Sequence, residues 1–261
     1  AFGDNELTQA DLYYKQARDV DPDSVEAYVG LAQISRQRND NKMALSYAEK
    51  AYSIDPNNVA ALMETGQISL NEGKNTYKRL RKGMQVNATA EELARVREDL
   101  TLFLRNAKRA FESVNKLEPD NKAAYDWLGE THRLRSMIAG DEGERVNALF
   151  DSMEAFKAGY EIDDPNYREA FRLGEIYRQR GELDIARRYF QTGVDICPPD
   201  RKPRECQWHL AEIAEEQEAL DDARFYWGEV MKAYDPNTPE EAVFYNKARE
   251  RVNAINSKLR Y

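Results

Sequence analysis

The sequence contains few of the side chains that most often carry catalysis or bind metals. It has two histidines in 261 residues, and neither His132 nor His209 lies at a spacing typical of a zinc site. No glycine-rich phosphate loop follows a strand-like segment. Carboxylates are frequent, but at this composition they are expected on helix surfaces and do not by themselves define an acid–base pair. We therefore predict a non-catalytic protein with no catalytic residues, no cofactor and no metal site.

Long apolar runs and excess positive charge are also missing. No run approaches the ~18–20 residues needed to span a bilayer, so we predict no transmembrane segment. The net charge of −9 opposes capture by polyanions, and we expect no nucleic-acid partner. The sequence begins with Ala1, which leaves open a removed leader, a lipid-bearing N-terminal anchor or an upstream repeat.

Cysteine is limited to Cys197 and Cys206, which are too far apart for CxxC zinc or redox chemistry. A disulfide closing the short link between them would imply an oxidising compartment. Two free buried thiols are the alternative, because cysteine is also a common small core residue. Both readings stay open at the level of the sequence.

A repeated Asp-Pro-like motif is the most regular feature that the sequence does have. It appears as "VDPDS", "SIDPNN", "LEPDN", "IDDPN" and "YDPNT", and the main prolines are Pro22, Pro56, Pro119, Pro165, Pro198 and Pro236. The successive gaps are 34, 63, 46, 33 and 38 residues. A period near 34 residues indicates a repeat protein.

Each interval between prolines reads as two helices. Apolar residues recur at helical spacing for about fourteen positions, break, and recur again before the next proline. Proline cannot continue a helix, and the neighbouring Asp or Asn caps the next one. The sequence therefore predicts an all-α protein built from helix pairs.

These residues resemble the tetratricopeptide repeat (TPR). The clearest copy has Leu173, Gly174, Tyr177, Gly181, Ala186, Phe190, Gly193 and Pro198. Other copies include Tyr28, Leu31 and Ala32; Tyr125, Leu128 and Gly129; and Leu210, Ala211, Ala223 and Trp227. The resemblance implies a right-handed α-solenoid of antiparallel helix pairs.

We predict a single solenoid over residues 1–261, made of consecutive repeat units. These are an N-terminal half repeat (1–23), repeats at 24–57, 58–120, 121–166, 167–200 and 201–237, and a capping helix at 238–261. Because the first unit lacks its partner helix, self-association through exposed end repeats stays open.

The repeat at 58–120 is 29 residues longer than a 34-residue unit, and Thr89 with Glu92 forms a capping box inside the insertion. We predict an elongated helical hairpin, each helix gaining about fourteen residues or roughly 21 Å. Its apolar residues either pack within the hairpin and on the neighbouring pair or form a second docking surface. The candidates are Lys74, Lys78, Arg79, Arg81, Lys82, Leu100, Leu102, Phe103 and Leu104. Its basic residues are either a solvated face or a site for an acidic protein segment or an anionic headgroup surface.

The resemblance also implies a groove, because the first helix of each TPR lines the concave side. Carried over copy by copy, the groove residues are Gln33, Arg36, Gln37, Met63, Gln67, Asn71, Asp126, Glu130, Arg133, Arg168, Phe171, Arg172, Glu175, Arg178, Trp208, Glu212 and Glu215. This set is rich in amides and mixed in charge, with Met63, Phe171 and Trp208 as anchors. It suits an extended or helical peptide.

Our interpretation is a protein-interaction scaffold or adaptor that binds a protein or peptide segment during complex assembly. One alternative is a cochaperone that clamps a C-terminal carboxylate. Val29 and Gln33 stand where that clamp needs Lys and Asn, and only Arg168 and Arg172 resemble its final pair. Another alternative is the regulatory subunit of an enzyme. From the cysteines and the N-terminus we favour a bacterial periplasmic or outer-membrane-associated lipoprotein over a cytoplasmic protein.

Overall fold

A computed structural model describes residues 4–86, 88–163, 166–198 and 202–259. Within these ranges the chain forms twelve α-helices and no β-strand, which confirms the predicted all-α class. The helices are α1 (Asp4–Val20), α2 (Val25–Gln37), α3 (Asn41–Ile54), α4 (Val59–Gln85), α5 (Ala90–Leu117), α6 (Lys122–Ser136), α7 (Glu142–Ile162), α8 (Tyr167–Gln179), α9 (Leu183–Asp195), α10 (Arg204–Glu216), α11 (Leu220–Ala233) and α12 (Pro239–Lys258). None of these helices combines the length and the apolar character that a bilayer crossing requires.

Three of the Asp-Pro motifs form the same local hydrogen bond between two helices. In the turn after α3, the carboxylate of Asp55 accepts a hydrogen bond from the backbone N–H of Asn57 at 2.9 Å. Asp21 and Asp235 make the equivalent bond at 3.0 and 2.9 Å. The aspartate thus fixes the turn that contains the proline. A side-chain cap then opens the next helix, as when Asn58 accepts from the N–H of Ala61.

The helices group into two compact units, Ala1–Gly159 and Tyr160–Tyr261. The first unit contains α1, the pairs α2–α3 and α4–α5, α6 and most of α7. The second contains the end of α7, the pairs α8–α9 and α10–α11, and α12. Each predicted repeat range from 24–57 to 201–237 encloses two consecutive helices.

Within three of the pairs, a phenylalanine of the second helix packs against a glycine of the first. A Cβ added to Gly66 would lie 2.5 Å from the ring of Phe111, and one added to Gly174 would lie 2.6 Å from the ring of Phe190. Gly129 and Phe156 are in the same relation. All three phenylalanine side chains are fully buried. Glycine is required here because any larger side chain would hold the two helices apart.

The elongated hairpin forms as predicted. Helix α4 has 27 residues and α5 has 28, against 13 in each helix of the α8–α9 pair. The capping box of Thr89 and Glu92 starts α5.

The interior of the hairpin shows which of its apolar residues pack against α4. Leu100 and Leu104 are fully buried in a core cluster with Leu70 and Leu80, so they hold α5 on α4. Phe103 is half-buried and Leu102 is 44% exposed. The four apolar residues cover more than one face of α5, and only the face turned to α4 is buried.

Helix α12 forms the predicted cap and packs on α11. Its Ala248 and Ile255 are buried, with Val252 packed against the same cluster. Val243 and Leu259 are apolar residues of the same C-terminal segment, but both are exposed. At 100° per residue Val243 lies roughly 140° around the helix from Ala248, and Leu259 follows the last helical turn.

Candidate functional site

In the second unit, Arg178 of α8 reaches across to α10. Its Nη1 lies 2.5 Å from Oε2 of Glu212 and 2.7 Å from Nδ1 of His209, and its Nη2 lies 2.5 Å from Oε1 of Glu216. Side chains of Arg178 and Glu212 are about one-quarter exposed. Two of the predicted groove residues are therefore brought together, along with His209 and Glu216, which the sequence reasoning did not assign to the groove.

Glu212 is the most strongly perturbed carboxyl at this surface. Burial by itself would raise its pKa, but polar contacts with His209, Arg178 and Trp208 outweigh burial and lower the pKa to about 2. Trp208 contributes an N–H that donates to Oε1 of Glu212 at 2.8 Å. Glu212 is therefore a fixed negative charge at neutral pH, held between α8 and α10.

Beside this ion pair lies a half-buried aromatic surface. The ring of Phe171 stacks on Tyr167, with centroids 6.3 Å apart, and lies 5.7 Å from the ring of His209. The guanidinium of Arg172 sits over Phe171 at 5.3 Å and pairs with Glu175 at 2.6 Å. Phe171, Arg172 and Glu175 were all predicted for the groove, and the structure places them on one face of α8.

Helix α12 borders the same surface. The Trp208 ring contacts Trp227 and Phe244 edge-on, and Nζ of Lys247 lies 4.8 Å from its centroid. Glu215 pairs with Arg251 of α12 at 2.7 Å. Sequence reasoning treated α12 only as a cap. The clue was the alternation of Phe244, Lys247 and Arg251 at steps of three and four.

In the first unit two of the predicted groove arginines form ion pairs with buried glutamates. Arg36 of α2 forms a two-point ion pair with Glu64 of α4, at 2.8 and 3.1 Å. Glu64 is only 4% exposed and was missed by the sequence reasoning. On α6, Arg133 pairs with buried Glu130 at 3.0 Å. Such buried pairs hold their partners in one geometry, since breaking one leaves an uncompensated charge.

The remaining groove predictions of this unit have separate surroundings. Gln33 and Gln37 line a cavity of about 360 Å³ with Tyr13 and Tyr14 of α1. Met63 is partly buried against two core clusters and is more a packing residue than an exposed anchor. The other three are half-buried positions on α4 and α6: Gln67, Asn71 and Asp126. In the second unit, Arg168 is exposed at the start of α8.

His132 of α6 packs within its helix pair. It is 4% exposed, and burial lowers its pKa to about 4. Nδ1 lies 2.9 Å from Nη1 of Arg135, which can only donate, and 3.4 Å from Oδ2 of Asp151. His132 is therefore neutral at physiological pH. Within the described ranges no group of His, Cys, Asp and Glu side chains could hold a metal ion.

In the structure the two cysteines are not bonded to each other, and Cys206 is buried while Cys197 is half-buried. Burial raises the pKa of the Cys206 thiol to about 12. Its sulfur would lie 2.7 Å from a Cβ added to Gly193, so Cys206 acts as a core residue of the α9–α10 contact. The disulfide stays a prediction, and a mass measurement with and without reductant checks it.

These features define a class of protein: within each unit, antiparallel helix pairs pack on one another, and in the second unit α8 and α10 carry a polar surface with half-buried aromatic rings. Comparison with family models identifies the repeat. Two models, both described as tetratricopeptide repeat, match residues 1–59 and 170–200. These two stretches of the chain are therefore tetratricopeptide repeats.

Solved structures share this fold at low sequence identity. PilF of Pseudomonas aeruginosa aligns with a TM-score of 0.63 at 16% identity, over 94% of this chain and 90% of PilF. YrrB, described as a TPR protein with an unusual peptide-binding site, aligns with a TM-score of 0.60 at 13% identity, over 91% of this chain and 97% of YrrB. PilW, described as a type IV pilus biogenesis factor, gives 0.54 at 16% identity, over 90% of this chain and 91% of PilW. At these identities the likeness establishes the fold. None of the curated protein sequences matches the chain.

Proposed function

We propose that the protein is a non-catalytic interaction scaffold, and that the α8–α10 surface of its second unit binds a peptide segment of a partner protein. The tetratricopeptide fold and its helix-pair neighbours support an interaction role, since surfaces of this kind in repeat proteins bind other chains. PilW is described as a biogenesis factor and YrrB as a peptide-binding protein. Both descriptions are consistent with complex assembly as the setting.

The observation that carries the proposal is the pairing of half-buried aromatic rings with fixed charges. Phe171 and Trp208 are each partly exposed, and a cation lies over each ring. Aromatic and arginine side chains contribute most to binding energy at protein interfaces. The Arg178–Glu212 pair holds α8 and α10 in register, so a partner would meet a surface that needs little further ordering.

The mixed charge of this surface favours an internal peptide segment over a terminal carboxylate. Arg172 and Arg178 are each matched by a carboxylate, Glu175 for the first and Glu212 and Glu216 for the second. A carboxylate clamp needs several cations that converge on one position. The partner segment is therefore expected to bring both donors and acceptors, together with an apolar side chain for the Phe171 ring.

A displayed peptide library screened against the full chain tests the proposal. The groove variant is Arg172→Ala with Glu175→Ala, which removes one ion pair of i, i+3 spacing at 2.6 Å. The matched control is Asp221→Ala with Arg224→Ala, which removes an exposed pair of the same spacing on α11. Selected peptides should bind the groove variant at least about tenfold more weakly and the control as strongly as the native chain.

If the selected peptides bind the native chain, the groove variant and the control equally, the α8–α10 surface is not their binding site. Each selected peptide should also be compared with its amidated form. A loss confined to peptides with a free C-terminal carboxylate would favour the clamp.

A further inference from the structure

The distal part of the long hairpin carries a concentrated positive charge. Residues 73–90 contain five Lys or Arg and no Asp or Glu, in a chain with a net charge of −9. Lys74 lies over the ring of Trp127 at 5.4 Å. The other four, Lys78, Arg79, Arg81 and Lys82, are exposed, and none of them pairs with a carboxylate of the described residues.

These four cations are arranged around the outer side of α4. Leu80 is 3% exposed and faces α5, and Gly83 allows the close approach of Leu93, 3.0 Å from its added Cβ. At 100° per residue, Lys78 and Lys82 lie about 160° from Leu80 around the helix. Arg79 and Arg81 lie about 100° from it, one on each side. The cations thus cover the surface of α4 that α5 leaves uncovered.

Two apolar side chains are exposed at the end of the same segment. Met84 is 55% exposed and Val86 is 66% exposed. The helix dipole explains a cation in the last turn of α4, where Lys82 lies. It does not explain Lys78 and Arg79 further back, nor the exposed apolar pair.

We propose that this basic face, residues 78–86, docks on a lipid bilayer that contains anionic headgroups. Basic side chains near such a surface are attracted to it, and each adds to the binding. Apolar side chains among them can enter the boundary between headgroups and acyl chains, which is the pattern of an interfacial helix. The first ten residues of α5 carry four carboxylates, Glu91, Glu92, Glu98 and Asp99, against two cations, Arg95 and Arg97, so the bilayer would face α4 rather than α5.

A membrane fits this segment better than an acidic protein segment. The four cations point away from the hairpin over a wide arc of one helix, which suits a flat, laterally mobile layer of negative charge. A peptide would be expected to bind in a groove, and five well-defined cavities of the described ranges are all lined by other residues.

Vesicle cosedimentation with the full chain tests the inference. The probe is phosphatidylcholine vesicles with and without phosphatidylglycerol. The protein should sediment with the anionic vesicles, remain in solution with the neutral ones, and bind less as salt is raised.

Three variants distinguish binding by the basic face from a general effect of net charge. Replacing Lys78, Arg79, Arg81 and Lys82 by Gln should weaken anionic-vesicle binding by at least about tenfold. Met84→Ser with Val86→Ser should weaken binding and leave the helical content unchanged. The control replaces four cations that are exposed elsewhere, Lys42, Arg109, Lys116 and Arg188, by Gln. It makes the same change in net charge and should bind within about twofold of the native chain.

Several results would overturn the proposal. These are equal binding to neutral vesicles, no binding to either kind, and an equal loss in the control variant. If the serine variant binds as strongly as the native chain, then Met84 and Val86 do not insert into the bilayer, and that part of the proposal is wrong. Capture of polyglutamate in the absence of any vesicle binding would assign the face to an acidic protein segment instead.

Discussion

The α4–α5 hairpin and the α8–α9 pair are built on the same contact and used differently. In each, a phenylalanine of the second helix fills the space above a glycine of the first, Phe111 on Gly66 and Phe190 on Gly174. The hairpin then continues for about one further pair of repeat-length helices, with Leu80, Leu100 and Leu104 in its interior. The α8–α9 pair stops and instead bonds its polar face to α10 through Arg178.

The comparison shows that one shared contact stabilises the two pairs, whereas the distinctive surface of each pair lies elsewhere. The glycine–phenylalanine contact lies within one helix pair, and it packs the two helices closely together in each pair that has it. The extension adds stability through its own leucines and leaves an outer face that nothing in the described ranges covers. The short pair has no such interior, and its distinctive chemistry lies at the contact with the next helix pair.

The largest effect is expected from removing the shared ring. Phe111→Ala and Phe190→Ala should each lower the free energy of unfolding by about 3–5 kcal/mol, because each empties a fully buried site. Urea unfolding followed by circular dichroism measures the loss. Phe225→Ala is the control, since that ring is 60% exposed and should cost less than about 1 kcal/mol. If Phe111→Ala lowers the free energy of unfolding much less than Phe190→Ala, the stability of the hairpin comes mainly from its extension.

The interior of the extension gives the next effect. Leu104→Ala should cost about 2–5 kcal/mol, because the side chain is 1% exposed and packs against Gly73. Leu102→Ala, two residues away and 44% exposed, should cost no more than about 0.5 kcal/mol. Hydrogen exchange across residues 74–105 should speed up in the first variant only. Equal protection in both would mean that the leucine interior does not hold the hairpin.

A pH titration distinguishes the two units, beginning with His132 in the first. Burial lowers its folded-state pKa from 6.5 to about 4, so the unfolded chain takes up the proton first as the pH falls. Stability should therefore drop between pH 6.5 and 4, by roughly 1–3 kcal/mol from this group. His132→Asn should flatten the unfolding free energy over that window. An unchanged profile would contradict a buried neutral imidazole.

In the second unit, Glu212 should affect the free energy of unfolding at lower pH than His132 does. Its pKa is lowered from 4.5 to about 2 in the folded state. Its contribution is therefore present above pH 4.5 and is lost as the pH falls towards 2. Since the side chain is 28% exposed, solvent screening reduces the effect to roughly 1–2 kcal/mol. Glu212→Gln should remove this part of the acid loss and leave the window of His132 unchanged. Curves that coincide with those of the native chain would show that Glu212 is not held as described.

Much of the architecture was predictable because its signals are local. Asp55 and Pro56 define a turn through bonds that span two residues, and Thr89 with Glu92 caps α5 within one turn. The length of the hairpin followed from the spacing of prolines.

The groove was less predictable because its chemistry lies between helices. Its residues were assigned one helix at a time, from the resemblance to a repeat family. The assignment therefore missed Glu64, which pairs with Arg36 across 28 residues, and His209, which meets Arg178 across 31. Leu100 and Leu104 could not be told from Leu102 until α4 was in place.

The amino-acid sequence by itself determined that the chain is helical, where most helices begin and end, and which pair is elongated. Those properties depend on backbone bonds and side-chain periodicity within about four residues. Only the tertiary structure decided which charges neutralise one another, which leucines are interior, and that four cations of α4 stay exposed and unpaired. Those outcomes depend on residues that are distant in the chain and come within a few ångströms only when the helices pack.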